Sequence, residues 1–138
     1  MKRHLHTAGR EGRARIKDAL ARELAGYNDI AFAYLFGSAA ESESFHDVDV
    51  GVYLRDTHSQ SAGLALALAQ RLSDRLGLPV DVRILNAAPV PFLYRALRGE
   101  LLLSADDELL ADVIETTVQR YLDIEPLLRR GAKEAYAA

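Results

Sequence analysis

The sequence contains no cysteine, which excludes disulfides and thiolate metal sites and suits a reducing cytoplasm. It also lacks any run of about 18 apolar residues, so no membrane span is expected. The start, MKRHLHTAGREGR, is basic but has none of the apolar stretch that a secretory signal requires. Residues 1–12 therefore read as a flexible leader. Nor is there a surplus of positive charge. With 17 Lys and Arg against 20 Asp and Glu the formal charge is -3, which argues against a chain whose main task is to grip nucleic acid through its phosphates. Internal repeats and low-complexity linkers are missing too. What remains is globular in composition, 49% apolar and 27% charged over 138 residues, enough for one core and too short for two ordinary domains. A single cytoplasmic domain spanning residues 1–138 is the expectation.

Periodicity divides the chain into alternating elements. Ile16, Ala19, Leu20 and Leu24 recur at helical spacing within residues 12–26, and Gly26 suits the position just past a helix end. Residues 30–36 are a short apolar run ended by a glycine, which favours a buried strand. Residues 39–46, AAESESFH, predict a helical turn followed by loop, and residues 47–54 a second strand. Leu64, Leu68, Leu72 and Leu76 step by four before Gly77 and Pro79, predicting a helix over 60–76. Val80, Val82 and Ile84 alternate with Asp81, Arg83 and Leu85 as in a strand. Two prolines keep 86–91 irregular, 92–97 reads as a short helix stopped by Gly99, and 100–103 as an edge strand. From Ala105 an apolar stripe through Leu110, Ile114, Val118 and Leu122 marks one long helix, which Pro126 interrupts or kinks before a basic, frayed end.

The chemistry concentrates in residues 34–54, YLFGSAAESESFHDVDVGVYL. In an extended segment alternate side chains share a face, so Asp47 and Asp49 project together while Val48, Val50, Val52 and Leu54 project oppositely. Two ionised carboxylates held side by side repel, and the usual remedy is a hard divalent cation such as Mg²⁺, shared with substrate phosphates. Ahead of them, Gly37-Ser38 supplies a turn where backbone can approach a ligand and where amides and a hydroxyl suit a phosphate.

Gly37-Ser38 followed by Asp47-Val48-Asp49 resembles the minimal nucleotidyltransferases of the polymerase beta superfamily, and within it the antitoxins of HEPN/MNT toxin–antitoxin pairs. The later NAAPVPFLYRALRGELLLS and YLDIEPLLRR look like that group's carboxyl half, so the likeness runs over roughly residues 14–130. It implies an α/β (α+β) fold, a mixed sheet of three to four strands flanked by helices, with a long C-terminal helix. It implies that Asp81 lies on a strand beside the Asp47 and Asp49 strand, as third carboxylate and proton acceptor. Gly37 and Ser38 would hold the triphosphate of ATP, and Asp47, Asp49 and Asp81 two Mg²⁺ ions. The implied reaction moves AMP to a tyrosine hydroxyl of a HEPN ribonuclease toxin, the partner in a hetero-oligomer, and so silences it. The family pattern Gly-Ser-x-Ala-Arg-Gly reads Glu41 and Ser42 at its last two positions here, and His46 stands where the family places a serine.

Other readings compete. The chain could be a binding antitoxin that covers its partner without chemistry, or could transfer the nucleotide to a small molecule such as an aminoglycoside. Asp81 could merely pair with Arg83, and Arg95 and Arg98 could reach a triphosphate or form a solvated helix face. His4, His6 and His58 are not spaced as a metal site.

Overall fold

A computed structural model describes residues 6–7, 9–37, 40, 44–45, 47–57 and 60–136. Its elements are β1 (His6–Thr7), α1 (Arg10–Leu24), β2 (Ile30–Phe36), β3 (Ser44–Phe45), β4 (Val48–Leu54), α2 (Ser61–Leu76), β5 (Val80–Ile84), α3 (Val90–Leu97), β6 (Glu100–Ser104) and α4 (Asp107–Tyr136). The main sheet has the order β5-β4-β2-β6, with β2 antiparallel to both β4 and β6 and β4 parallel to β5. This is the α+β architecture with a mixed sheet and a long last helix that the family resemblance implies.

Helices cover both faces of the sheet, and the alternation along the strands decides which residues each receives. Val48, Val50, Val52 and Leu54 of β4 pack with Ala33 and Leu35 of β2 against Leu20 and Leu24 of α1 and Leu68 and Leu72 of α2. Phe32, Tyr34 and Phe36 face the other way, into a second cluster with Leu85, Ala96 of α3 and Leu110 of α4. All seven residues of β2 are buried, which is why its apolar run shows no period of two. A register shift between Ile30 and Phe32 lets Ile30 join the first cluster and Phe32 the second.

Two local devices fix the strand that carries Asp81. Gly77 ends α2 in the left-handed conformation, φ 67, its N–H donating to the Ser73 carbonyl at 2.9 Å. The Ser73 hydroxyl then accepts the Val80 N–H at 2.9 Å, fastening the first residue of β5 to the last turn of the helix. At the far end of β4 the Asn86 side chain imitates a strand residue. It accepts from the Leu54 N–H and donates to the Leu54 carbonyl, both at 2.8 Å.

The structure corrects several expectations. Helix α3 begins at Val90 rather than 92, with Pro89 as its cap and Pro91 in the first turn, where a missing N–H costs nothing. Helix α4 continues through Pro126 to Tyr136 without interruption. Proline removes one backbone hydrogen bond, but this stretch is solvent-facing, where water can serve the freed carbonyl, and Glu125 and Arg129 pair across it at 3.0 Å. Helix α1 starts at Arg10 rather than residue 12, and His6–Thr7 pairs antiparallel with Ser44–Phe45, where a loop was expected. A two-residue pairing carries no hydrophobic period for a sequence reading to detect.

Candidate functional site

Strand β2, central in the sheet, delivers Gly37 just past its last residue with φ 74, a backbone conformation that glycine adopts without strain. A Cβ at this position would collide with the Asp49 carboxylate, so the turn and the acid are fitted to each other. The Ala40 N–H donates to the Gly37 carbonyl at 3.2 Å. Ser38, Glu41 and His46 lie outside the described residues.

Asp49 sits second in β4, opposite Phe36 on β2 and in direct register with Asp81 on β5. Neighbours in register on parallel strands point to the same face. Asp47 precedes β4 by one residue and is partly buried. The structure therefore brings Asp49 and Asp81 to one face of adjacent strands, with Asp47 close enough to act on Asp49 electrostatically. Burial pushes the Asp49 carboxyl above the ordinary aspartate range, and the Asp81 and Asp47 charges push the same way; Arg95 and Arg83 oppose them.

Asp81 is more open. Its side chain is half-exposed and accepts from Arg83 Nε at 3.1 Å, so the pairing with Arg83 that the sequence allowed is present. Arg83 also lies 6.0 Å from the centre of the Phe92 ring on α3. In this arrangement no three Asp, Glu or His side chains among the described residues close into a ready metal cage. The carboxylates of Asp47 and Asp49 with Asp81 are nonetheless the oxygen donor set that a hard cation takes, and an exposed ion pair such as Asp81–Arg83 is worth little to keep.

Two grooves flank α3. One, of about 460 Å³, runs between β5 and the start of α2 and is lined by Arg83, Phe92, Asn86 and Ser61 among others. The second, of about 570 Å³, lies between α3 and α4 and is lined by Pro91, Tyr94, Arg95, Arg98, Tyr121 and Leu128. In its wall Tyr94 and Tyr121 stack at 3.7 Å, and the Arg98 guanidinium sits 5.6 Å from the Tyr94 ring. The sequence reading missed the Tyr94–Tyr121 stack, since nothing in composition relates residues so far apart. It also missed Asn86, whose position just past the end of a strand was the available signal.

Comparison with known proteins identifies the family and the fold. The family model described as "Polymerase beta, Nucleotidyltransferase" matches residues 18–108. Among solved structures, the chain is similar to one of a complex of tri-AMPylated Shewanella oneidensis HEPN toxin with MNT antitoxin, at 20% identity over 91% of this chain and 99% of that one, TM-score 0.71. A toxin–antitoxin MntA-HepT structure matches at 20% identity over 90% and 99% of the two chains, TM-score 0.69. A toxin–antitoxin structure with AMP-PNP matches at 20% identity over 88% and 98%, TM-score 0.72. At such identities the likeness is one of fold. No curated protein matches the chain. Among the described residues no helix is long and apolar enough to cross a membrane.

Proposed function

Since the chain belongs to the polymerase beta nucleotidyltransferase family, we propose that it transfers AMP from ATP to a hydroxyl, a tyrosine hydroxyl of a HEPN toxin, and acts as the antitoxin of that pair. The observation that carries this reading is the register of Asp49 with Asp81, two carboxylates from distant parts of the chain on one sheet face beside a glycine turn. The solved complexes with tri-AMPylated toxin and with AMP-PNP support the choice of nucleotide and partner.

The residues divide the work. Gly37 keeps the turn low enough for Asp49 to lie over it, and with Ser38 it offers backbone and hydroxyl donors to the triphosphate. Asp47, Asp49 and Asp81 would hold Mg²⁺, which when bound neutralises phosphate charge and activates the attacking oxygen. The raised pKa of Asp49 fits this role, because burial among like charges leaves a carboxylate short of a cation. The acceptor oxygen forms a bond to the α-phosphorus as the bond to the β-phosphate oxygen breaks, and pyrophosphate leaves. Asp81, at the open rim, takes the hydroxyl proton once it releases Arg83.

Incubation of the protein with its toxin, ATP and Mg²⁺ should add adenylate mass to the toxin, and Asp49→Ala or Asp47→Ala should abolish the increment. An unmodified toxin under every divalent metal would sink the enzymatic reading. A second reading, neutralisation by covering the toxin, is favoured by one observation: Leu122 and Leu127 on α4 are 62% and 64% exposed. It predicts that Asp49→Ala still protects cells while Leu122→Asp with Leu127→Asp does not.

A further inference from the structure

The acid cluster raises an electrostatic problem that the phosphate turn does not answer. A nucleoside triphosphate carries several negative charges, and Asp47, Asp49 and Asp81 present three more. In the family pattern an arginine follows the Gly-Ser turn, but this chain has Glu41 there. Mg²⁺ held by the acids would offset part of this charge, and any further cationic charge must come from elsewhere in the fold.

Most arginines near the sheet are already engaged. Arg83 pairs with Asp81, Arg13 with Glu100, Arg71 and Arg75 with Glu23. Arg95 and Arg98 differ. Both are exposed, both line the groove between α3 and α4, and among the described residues neither has an acidic group within ion-pair distance. Arg95 lies in the last turn of α3 and Arg98, three residues on, is its C-cap in helical conformation, which puts the two on one face. Arg95 is near enough to Asp49 to offset part of the repulsion there. Arg98 rests against Tyr94, which is itself stacked on Tyr121. A guanidinium lying against a ring keeps its N–H edge available while losing little further freedom when it binds an anion.

We propose that Arg95 and Arg98 form an anion subsite for the β- and γ-phosphates of the incoming nucleotide, replacing the arginine that the phosphate turn lacks. The assignment rests on the nucleotidyl-transfer reading above. The end of the triphosphate is the part that leaves as pyrophosphate, and it gains negative charge as the α–β bond breaks, so cations placed there favour the transition state as well as binding. Tyr94 and Tyr121 are positioning residues in this scheme, acting through Arg98.

Isothermal titration of the full chain separates the possibilities, using an ATP analogue with a methylene bridge between the α- and β-phosphorus, with Mg²⁺, against AMP. Losing a charge-assisted bidentate contact should weaken the analogue about tenfold to a hundredfold in Arg95→Gln, and by a smaller factor in Arg98→Gln. Affinity for AMP should stay within about twofold, because AMP lacks the phosphates concerned. Arg95→Lys should recover part of the loss, as a point charge without the planar fork. Both side chains are exposed, and an unchanged melting temperature of each variant verifies the fold. Equal losses for the analogue and AMP, or no loss for the analogue, would overturn the subsite. Failure of the wild-type protein to bind the analogue would instead overturn the transfer reading on which it rests.

Discussion

Strand β4 has two unlike sides. One side, Val48, Val50, Val52 and Leu54, is sealed beneath α1 and α2 with essentially no solvent contact. The other presents Asp49, Gly51 and Tyr53, and the covering there is uneven. Helices α3 and α4 close over β2 through Phe32, Tyr34 and Phe36, and on the β4–β5 half Asp81 and Arg83 stay exposed beside a partly buried Asp49. The lesson is that the closed side holds the strand at a fixed height and register so that the open side can carry charges that no well-packed interior would accept. A sheet covered equally on both sides would have a larger core and no site.

Truncating the sealed side tests this division most severely. Leu72→Ala removes a side chain that is 1% exposed, and should cost about 2–5 kcal/mol in urea unfolding. Asp49→Ala, on the same sheet but the open side, should cost far less while ending transfer. Comparable losses from the two substitutions would erase the distinction between the sides.

Gly37→Ala probes the seam where they meet. It forces a side chain into a left-handed conformation, worth about 1–2 kcal/mol, and drives its Cβ into the Asp49 carboxylate. Transfer should fall more than about tenfold, since a displaced carboxylate no longer meets the phosphate. The measurement is initial rate alongside melting temperature; a variant that loses stability but keeps full rate would separate the turn from the site.

The pH dependence of Asp49 gives a smaller effect of opposite sign. Its folded-state pKa lies above the unfolded value, chiefly through burial and then through Asp81 and Asp47. Such a group contributes stability below the unfolded pKa of about 4, and that contribution is lost as pH rises through the folded value. At pH 7 the ionised carboxylate therefore opposes folding. Asp49→Asn should melt higher than wild type at neutral pH, and the advantage should shrink as pH falls toward 4. Addition of Mg²⁺ should raise the wild-type melting temperature and leave that of Asp49→Asn unmoved.

How much of this was legible in the sequence follows from how local each signal is. The valines of β4, the leucines of α2 and the glycine ending β2 are patterns within a few residues of one another, and they gave the elements and the common face of Asp47 and Asp49. The pairing of β4 with β5 is a contact between segments some 30 residues apart, about as far as a crossover helix requires, and only family likeness suggested it. The Tyr94–Tyr121 stack and the hold of Asn86 on Leu54 depend on how loops and helices dock, which no period records. At Pro126 the interruption that the sequence allowed is absent: the helix runs on through a solvent-facing stretch where water can serve the freed carbonyl.

Arg83→Gln should produce the smallest effect on stability and the most specific one on the site. The pair it forms with Asp81 is exposed on both sides, 61% and 50%, and such pairs contribute about 0–1 kcal/mol. The loss in unfolding free energy should lie in that range. Its electrostatic reach is another matter, because Arg83 is one of two cations that oppose the upward displacement of the Asp49 pKa. Without it the Asp49 carboxyl should titrate higher still, visible by NMR of the side-chain carboxyl carbon, and the acidic limb of the transfer rate should move up with it. Asp81, relieved of its partner, should at the same time be freer to serve the acceptor hydroxyl. At pH values well above the Asp49 transition the rate should therefore hold or rise, while below it the variant should fall behind wild type. If instead Arg83→Gln lowers the rate equally at every pH, Arg83 contacts the substrate itself, and the open side of the sheet has one more working cation than the division drawn here assigns to it.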